Sequence, residues 1–117
     1  MNTALTTTGV LPICVGSTEV FQEKAVLNGL EWFIGGGSAV VNMCDSNGNT
    51  YVVPATITPD GYSALAPWTV VGSPAAGNLY GPWVWVRAWT LTDASGRKQV
   101  SRPITFSVVQ SPGVPIS

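Results

Sequence analysis

The sequence predicts an all-β domain, a single antiparallel sandwich or barrel of about seven short strands. Three observations predict it. Thirteen glycines and nine prolines fall at short intervals along the 117 residues. No stretch long enough for a helix escapes them with an apolar period of about 3.6 residues. The best helical candidate, 20–30, contains Asn28-Gly29 and has no capping pattern. Finally, β-rich runs alternate with turn residues throughout, and the length allows one domain around one core.

Taken in order, strands are expected at 9–15, 18–27, 31–34, 39–44, 50–57, 81–92 and 99–109. The second run alternates polar and apolar residues, so Glu19 and Glu23 read as a solvated strand face. Asp45-Ser46-Asn47-Gly48-Asn49 separates the fourth and fifth runs, and Asn47-Gly48 offers the positive φ angles of a tight hairpin. Its Asp-x-Asn-x-Asn spacing mimics the start of a calcium loop, but the bidentate Glu at the loop end and the flanking helices are missing. Residues 58–80 are less regular and read as a long connection carrying Trp68, packed or functional rather than idle. Asp93-Ala94-Ser95-Gly96 forms the second strong turn.

The domain is expected to occupy 9–110. Residues 1–8, threonine-rich and uncharged, read as an arm ordered by whatever holds it, and 111–117 read as a Pro-rich tail poor in ladder donors.

Charge is the compositional oddity. Charged residues make up 9% of the chain, against roughly a quarter in average soluble proteins. Five Lys and Arg against six Asp and Glu give a net charge of −1, too little positive charge to neutralise many phosphates, so nucleic acid is not an expected partner. A surface this poor in charge favours contact with other proteins. Histidine is absent, which removes the commonest general base, metal imidazole and triad member. The six carboxylates form no recognisable catalytic pair, and no enzyme activity, cofactor or metal is expected. Cys14 and Cys44 have no C-x-x-C spacing and read as reduced, buried cysteines. The first nine residues lack a basic region followed by an apolar core, and no apolar run reaches membrane-spanning length; neither a signal peptide nor a membrane partner is expected.

The most informative segment is 81–93. In a strand, Trp83, Trp85, Arg87, Trp89 and Leu91 share one side, and Val84, Val86, Ala88 and Thr90 share the other. Both sides are mostly apolar, so one is expected against the core and one against something else. Three readings of the tryptophan side compete. It is a core, with Arg87 stacked between Trp85 and Trp89; or an assembly surface of Trp83, Trp85, Arg87 and Trp89, joined by Trp68; or a platform for sugar rings. The last lacks polar neighbours, since Val84, Val86 and Ala88 offer no hydrogen bonds.

Residues 16–111 resemble the immunoglobulin-like modules of tail and baseplate proteins of tailed bacteriophages, including the N-terminal domain of upper baseplate proteins. The resemblance is carried by Gly81-x-Trp83-x5-Trp89-x-Leu91-x-Asp93-x-x-Gly96, by Ser101-Arg102-Pro103-Ile104-x-Phe106-x-Val108, and by the middle hairpin from Val40 to Cys44 with its Asp45-x-x-Gly48 turn. The chain departs from the pattern in its low charge and its excess of tryptophan, and it lacks the Cys-Trp-Cys arrangement of antibody domains. The resemblance implies an immunoglobulin-like β-sandwich in a non-enzymatic structural protein of the virion, in the tail, baseplate or head-to-tail neck. It implies synthesis in the host cytoplasm, and other virion proteins and copies of itself as partners. The alternatives are a capsid decoration or cement protein and, in another class, a carbohydrate-binding module that attaches to host glycans through Trp83, Trp85 and Trp89.

Overall fold

In the computed structural model, residues 13–110 are described, and they form eleven strands with no helix. The strands are β1 (Ile13–Cys14), β2 (Thr18–Lys24), β3 (Val26–Leu27), β4 (Leu30–Glu31), β5 (Ser38–Asp45), β6 (Thr50–Pro54), β7 (Thr56–Ile57), β8 (Ser63–Thr69), β9 (Trp83–Thr92), β10 (Lys98–Val100) and β11 (Ile104–Val109). The arm expected at 1–8, residues 9–12 of the first expected strand and the tail at 111–117 lie outside the described residues.

Two sheets enclose one core. The larger has the order β1-β11-β9-β5-β6 with β10 also on β9, the smaller has the order β2-β8-β7, and β3 and β4 form a short hairpin. With β2, β5, β6, β7, β8, β9 and β11 as strands B, C, C′, D, E, F and G, this is the order of an immunoglobulin-like sandwich. Every pairing is antiparallel except β1 with β11, where Ile13 lies beside Val108.

The count exceeds the expected seven because three expected runs are interrupted and one strand was missed. The run 18–27 breaks at Ala25, whose buried N–H donates to Tyr62 O at 2.8 Å and whose carbonyl accepts from Trp32 N. The run 50–57 breaks at Ala55, where the chain leaves the larger sheet as β6 and joins the smaller as β7. The last run breaks over Ser101-Arg102-Pro103; Ser101 Oγ there accepts from Trp89 N at 2.8 Å, and Pro103 has no N–H to give. Of 31–34, only Glu31 lies in a strand.

The missed strand is β8, the middle strand of the smaller sheet, inside the stretch read as a connection. Pro67 argues against a central strand in sequence. It is accommodated because β7 pairs only with Ala64 and Leu65, so at Pro67 the ladder runs on the β2 side alone. Ala64 and Ala66 point inward from β8 and are fully buried. Their small side chains leave room for the rings that β9 sends from the opposite sheet.

Candidate assembly interface

Strand β9 lies between β11 and β5 in the larger sheet and sets the direction of Trp83, Trp85, Arg87 and Trp89. Trp83, Trp85 and Trp89 are 2%, 0% and 1% exposed. They point into the sandwich with Leu91, whereas Val84 and Val86 point out. Trp85 sits at the centre of an aromatic cluster: its ring lies 5.2 Å from that of Trp68, 5.2 Å from Tyr51 and 6.3 Å from Phe106. Trp68, on the inward side of β8, is half-buried and stacks on Phe21. The tryptophan face is therefore core. The expectation that Trp83, Trp85 and Trp89 meet a partner is corrected, since buried rings have no face to offer, and the same burial removes the sugar platform; Trp68, half-buried, packs inward against Phe21 and Trp85.

Arg87 shares the inward side but is only half-buried. Its guanidinium lies over the ring of Phe21 across the sandwich at 4.7 Å and 6.0 Å from that of Phe106 on the neighbouring strand, rather than between Trp85 and Trp89 as expected. Its Nε has no hydrogen-bond partner, a condition shared by the indole nitrogens of Trp85 and Trp89. Glu19 and Glu23 also differ from expectation. They point inward on either side of Phe21, and Thr18, Val20, Gln22 and Lys24 take the outer side of β2. Among the described residues β2 is an edge strand, and inward carboxylates there still reach water at the open flank. Burial raises the Glu23 carboxyl above its ordinary range, opposed by the positive charge of Arg87. Burial in turn lowers Arg87, opposed by Glu23.

The outer side of the larger sheet is the surface left for contact. The β9 register places Val84, Val86, Ala88 and Thr90 on it. Strand β5 adds Val40, Asn42 and Cys44, β6 adds Thr50, Val52 and Pro54, and β11 adds Thr105 and Ser107. None of these side chains carries a charge. Val52, Val84 and Val86 are 64%, 47% and 37% exposed. The polar groups there satisfy each other, as in the bond from Asn42 Nδ2 to Thr90 Oγ1 at 2.8 Å. A shallow groove of about 450 Å³ runs over this side, lined by Asn42, Cys44, Val52, Val86, Ala88 and Pro103 among others. Cys44 and Cys14 are free thiols that are half-buried rather than fully buried as expected. Cys44 pairs with Val86 on this outer side, and Cys14 sits at the β1 edge of it.

The charges lie elsewhere. Lys24 and Glu31 form the one ion pair among the described residues, 3.5 Å apart and exposed, an arrangement that contributes little. Asp45 and Asp93 build the two hairpin turns at opposite ends of the β5–β9 pair. In both turns the aspartate carbonyl accepts from a glycine N–H three residues on, Gly48 at 3.1 Å and Gly96 at 3.0 Å. Both glycines have positive φ, 86° and 93°, and are the residues that require it; Asn47 does not. Buried Asp45 accepts from Asn47 N, Asn49 N, Asn49 Nδ2 and, at 2.7 Å, Ser73 Oγ. Burial pushes its carboxyl up, but the bonds from Ser73, Asn49 and Asn47 outweigh this and hold it below its ordinary range. Asp93 is held down to about 2, chiefly by the Ser95 hydroxyl at 2.6 Å and also, against the effect of burial, by the Trp32 indole and the Arg97 and Ser95 amides. Among the described residues, no three His, Cys, Asp or Glu side chains come together as a metal site, and no helix is long and apolar enough to cross a membrane.

The β9 half of this outer face was legible from alternation. The β5 and β6 halves were missed, because only the register between strands shows that Val40, Asn42, Cys44 and Val52 extend the same uncharged surface. No family model matches the chain, and no curated protein or solved structure matches it.

Proposed function

We propose that this chain is a non-enzymatic structural protein that works by docking the outer side of its larger sheet against other proteins, as a component of a tailed-bacteriophage virion in the tail, baseplate or neck. One observation carries the docking role. The outer side of β11, β9, β5 and β6 is uncharged and rich in exposed β-branched residues; on the larger sheet the charges are Arg87 and Asp45, which face inward, and Lys98, at the rim on β10 beside Thr92. A contiguous apolar patch of this kind is what interaction surfaces expose and free surfaces avoid. The virion setting rests on the resemblance of residues 81–96, 101–108 and 40–48 to phage tail and baseplate modules. A capsid decoration protein would use the same face on a flatter lattice.

The test is to label the chain in purified particles with a specific antibody and to compare incorporation of wild type with Val86→Lys. Label at fixed positions in the tail, baseplate or neck, lost with Val86→Lys, supports the proposal. Label spread over the capsid transfers it to decoration, and particles without the chain overturn it.

A further inference from the structure

We infer that the partner for the outer side of the larger sheet is the same side of a second copy, packed sheet on sheet about a two-fold axis; this rests on the docking role proposed above. Three features of the face point to that occupant. The first is charge. A partner presenting charged side chains would bury them without counter-ions against Val40, Val52, Val84, Val86 and Ala88, at high cost. An uncharged face fits another uncharged face, and the β11-β9-β5-β6 side of a second copy is one the structure itself supplies, with Lys98 standing outside it on β10.

The second is relief. The side chains are short and β-branched, with no large ring standing out, and Asn42 and Thr90 already satisfy each other. Such a face has the character of the inner side of a sandwich. It packs at the usual sheet-to-sheet distance of about 10 Å against another pleated surface.

Area is the third. The four strands of this face, β11, β9, β5 and β6, about 4.8 Å apart and about seven residues long at about 3.4 Å each, present roughly 450 Å² in projection. Side-chain relief raises the accessible area toward the roughly 800 Å² per partner of a standard stable interface. The same patch on both copies makes the contact self-complementary and closed, so it yields a dimer rather than a filament.

Sedimentation of the full chain over a range of concentrations tests this. The expected result is a dimer that becomes monomeric in Val84→Lys/Val86→Lys, with far-ultraviolet dichroism unchanged and cooperative melting at the midpoint of dilute, dissociated wild type. Val20→Lys, on the outer side of the smaller sheet, should remain dimeric. A second measurement needs no substitution on the face. In a Cys14→Ser background, a flexible bis-maleimide should join Cys44 to Cys44 of the second copy in dilute solution. A chain that is monomeric at every concentration, a dimer that survives the double lysine substitution, or a dimer without Cys44 cross-linking overturns the inference. A monomer that still enters particles through Val86 removes the second copy but leaves the docking role standing. A monomer whose Val86→Lys variant enters particles as well as wild type removes both.

Discussion

The Trp32 indole N–H donates to Asp93 Oδ2 at 3.0 Å, joining residues 61 positions apart. The bond ties the segment after β4 to the β9–β10 turn, and Asp93 Oδ1 meanwhile accepts from Ser95 and Arg97 within that turn. One carboxylate thus closes a hairpin and anchors a buried tryptophan.

Stability should fall at low pH through Asp93. Its carboxyl titrates near 3.8 when unfolded and at about 2 when folded. A group depressed on folding adds stability that is fully present above the unfolded value and is lost as pH falls through the folded one. Melting temperature measured from pH 5 to pH 2 should therefore drop in wild type. In Asp93→Asn it should start lower at neutral pH and change less over that window; parallel curves would contradict this role.

Asp45→Ala should cost about 2 kcal/mol, because it leaves the buried Ser73 hydroxyl and the turn amides of Asn47 and Asn49 without their acceptor. Ser73→Ala, which removes the hydroxyl's donation to Asp45 and its acceptance from the exposed Asn47 amide, should cost less, about 1 kcal/mol. Urea unfolding of the two variants and wild type checks both the values and their order.

Inward and outward residues of β9 should separate sharply by mutation. Trp85→Ala empties the middle of the aromatic cluster and should cost about 3–5 kcal/mol. Val84→Ser, one residue away and 47% exposed in the single chain, should stay within about 0.5 kcal/mol of wild type when both are measured as dilute monomers. Denaturant midpoints that move by similar amounts would reverse the assignment of faces.

Arg87→Leu should leave stability unchanged or raise it by about 1 kcal/mol. The guanidinium is half-buried over Phe21 with an unpartnered Nε, so an apolar replacement removes a desolvation cost while keeping most of the packing. A loss above about 2 kcal/mol would show that stacking on Phe21 outweighs that cost.

Gly37→Ala should destabilise the start of β5, since a Cβ there would run into the Thr92 carbonyl and the Asp93 backbone. Thermal melting of the variant checks this; an unchanged midpoint would mean that the two segments separate freely.

Much of this fold is written locally. The 83–91 alternation separates the two faces of β9, and each Asp-x-x-Gly turn marks a hairpin. Alternation does not say which face is inside. That depends on Ala64 and Ala66, which lie on another sheet and leave space for Trp85 and its neighbours. Strand β8 was illegible for a related reason: alanines and Pro67 have poor strand propensity, and only pairing with β2 makes them a strand. The sheet change at Ala55 and the inward turn of Glu19 and Glu23 are likewise decided by partners distant in sequence. Of the docking face, the sequence shows one strand of residues, and cross-strand register supplies the rest.

The alkylation rate of Cys44 reports on that face, because the thiol lies beside Val86 at its middle. With Cys14→Ser removing the other thiol, the rate should fall as the chain is concentrated or incorporated into particles, and should recover in Val84→Lys/Val86→Lys. A Cys44 rate that is the same in dilute, concentrated and assembled chain would contradict the assignment of this face as the assembly surface.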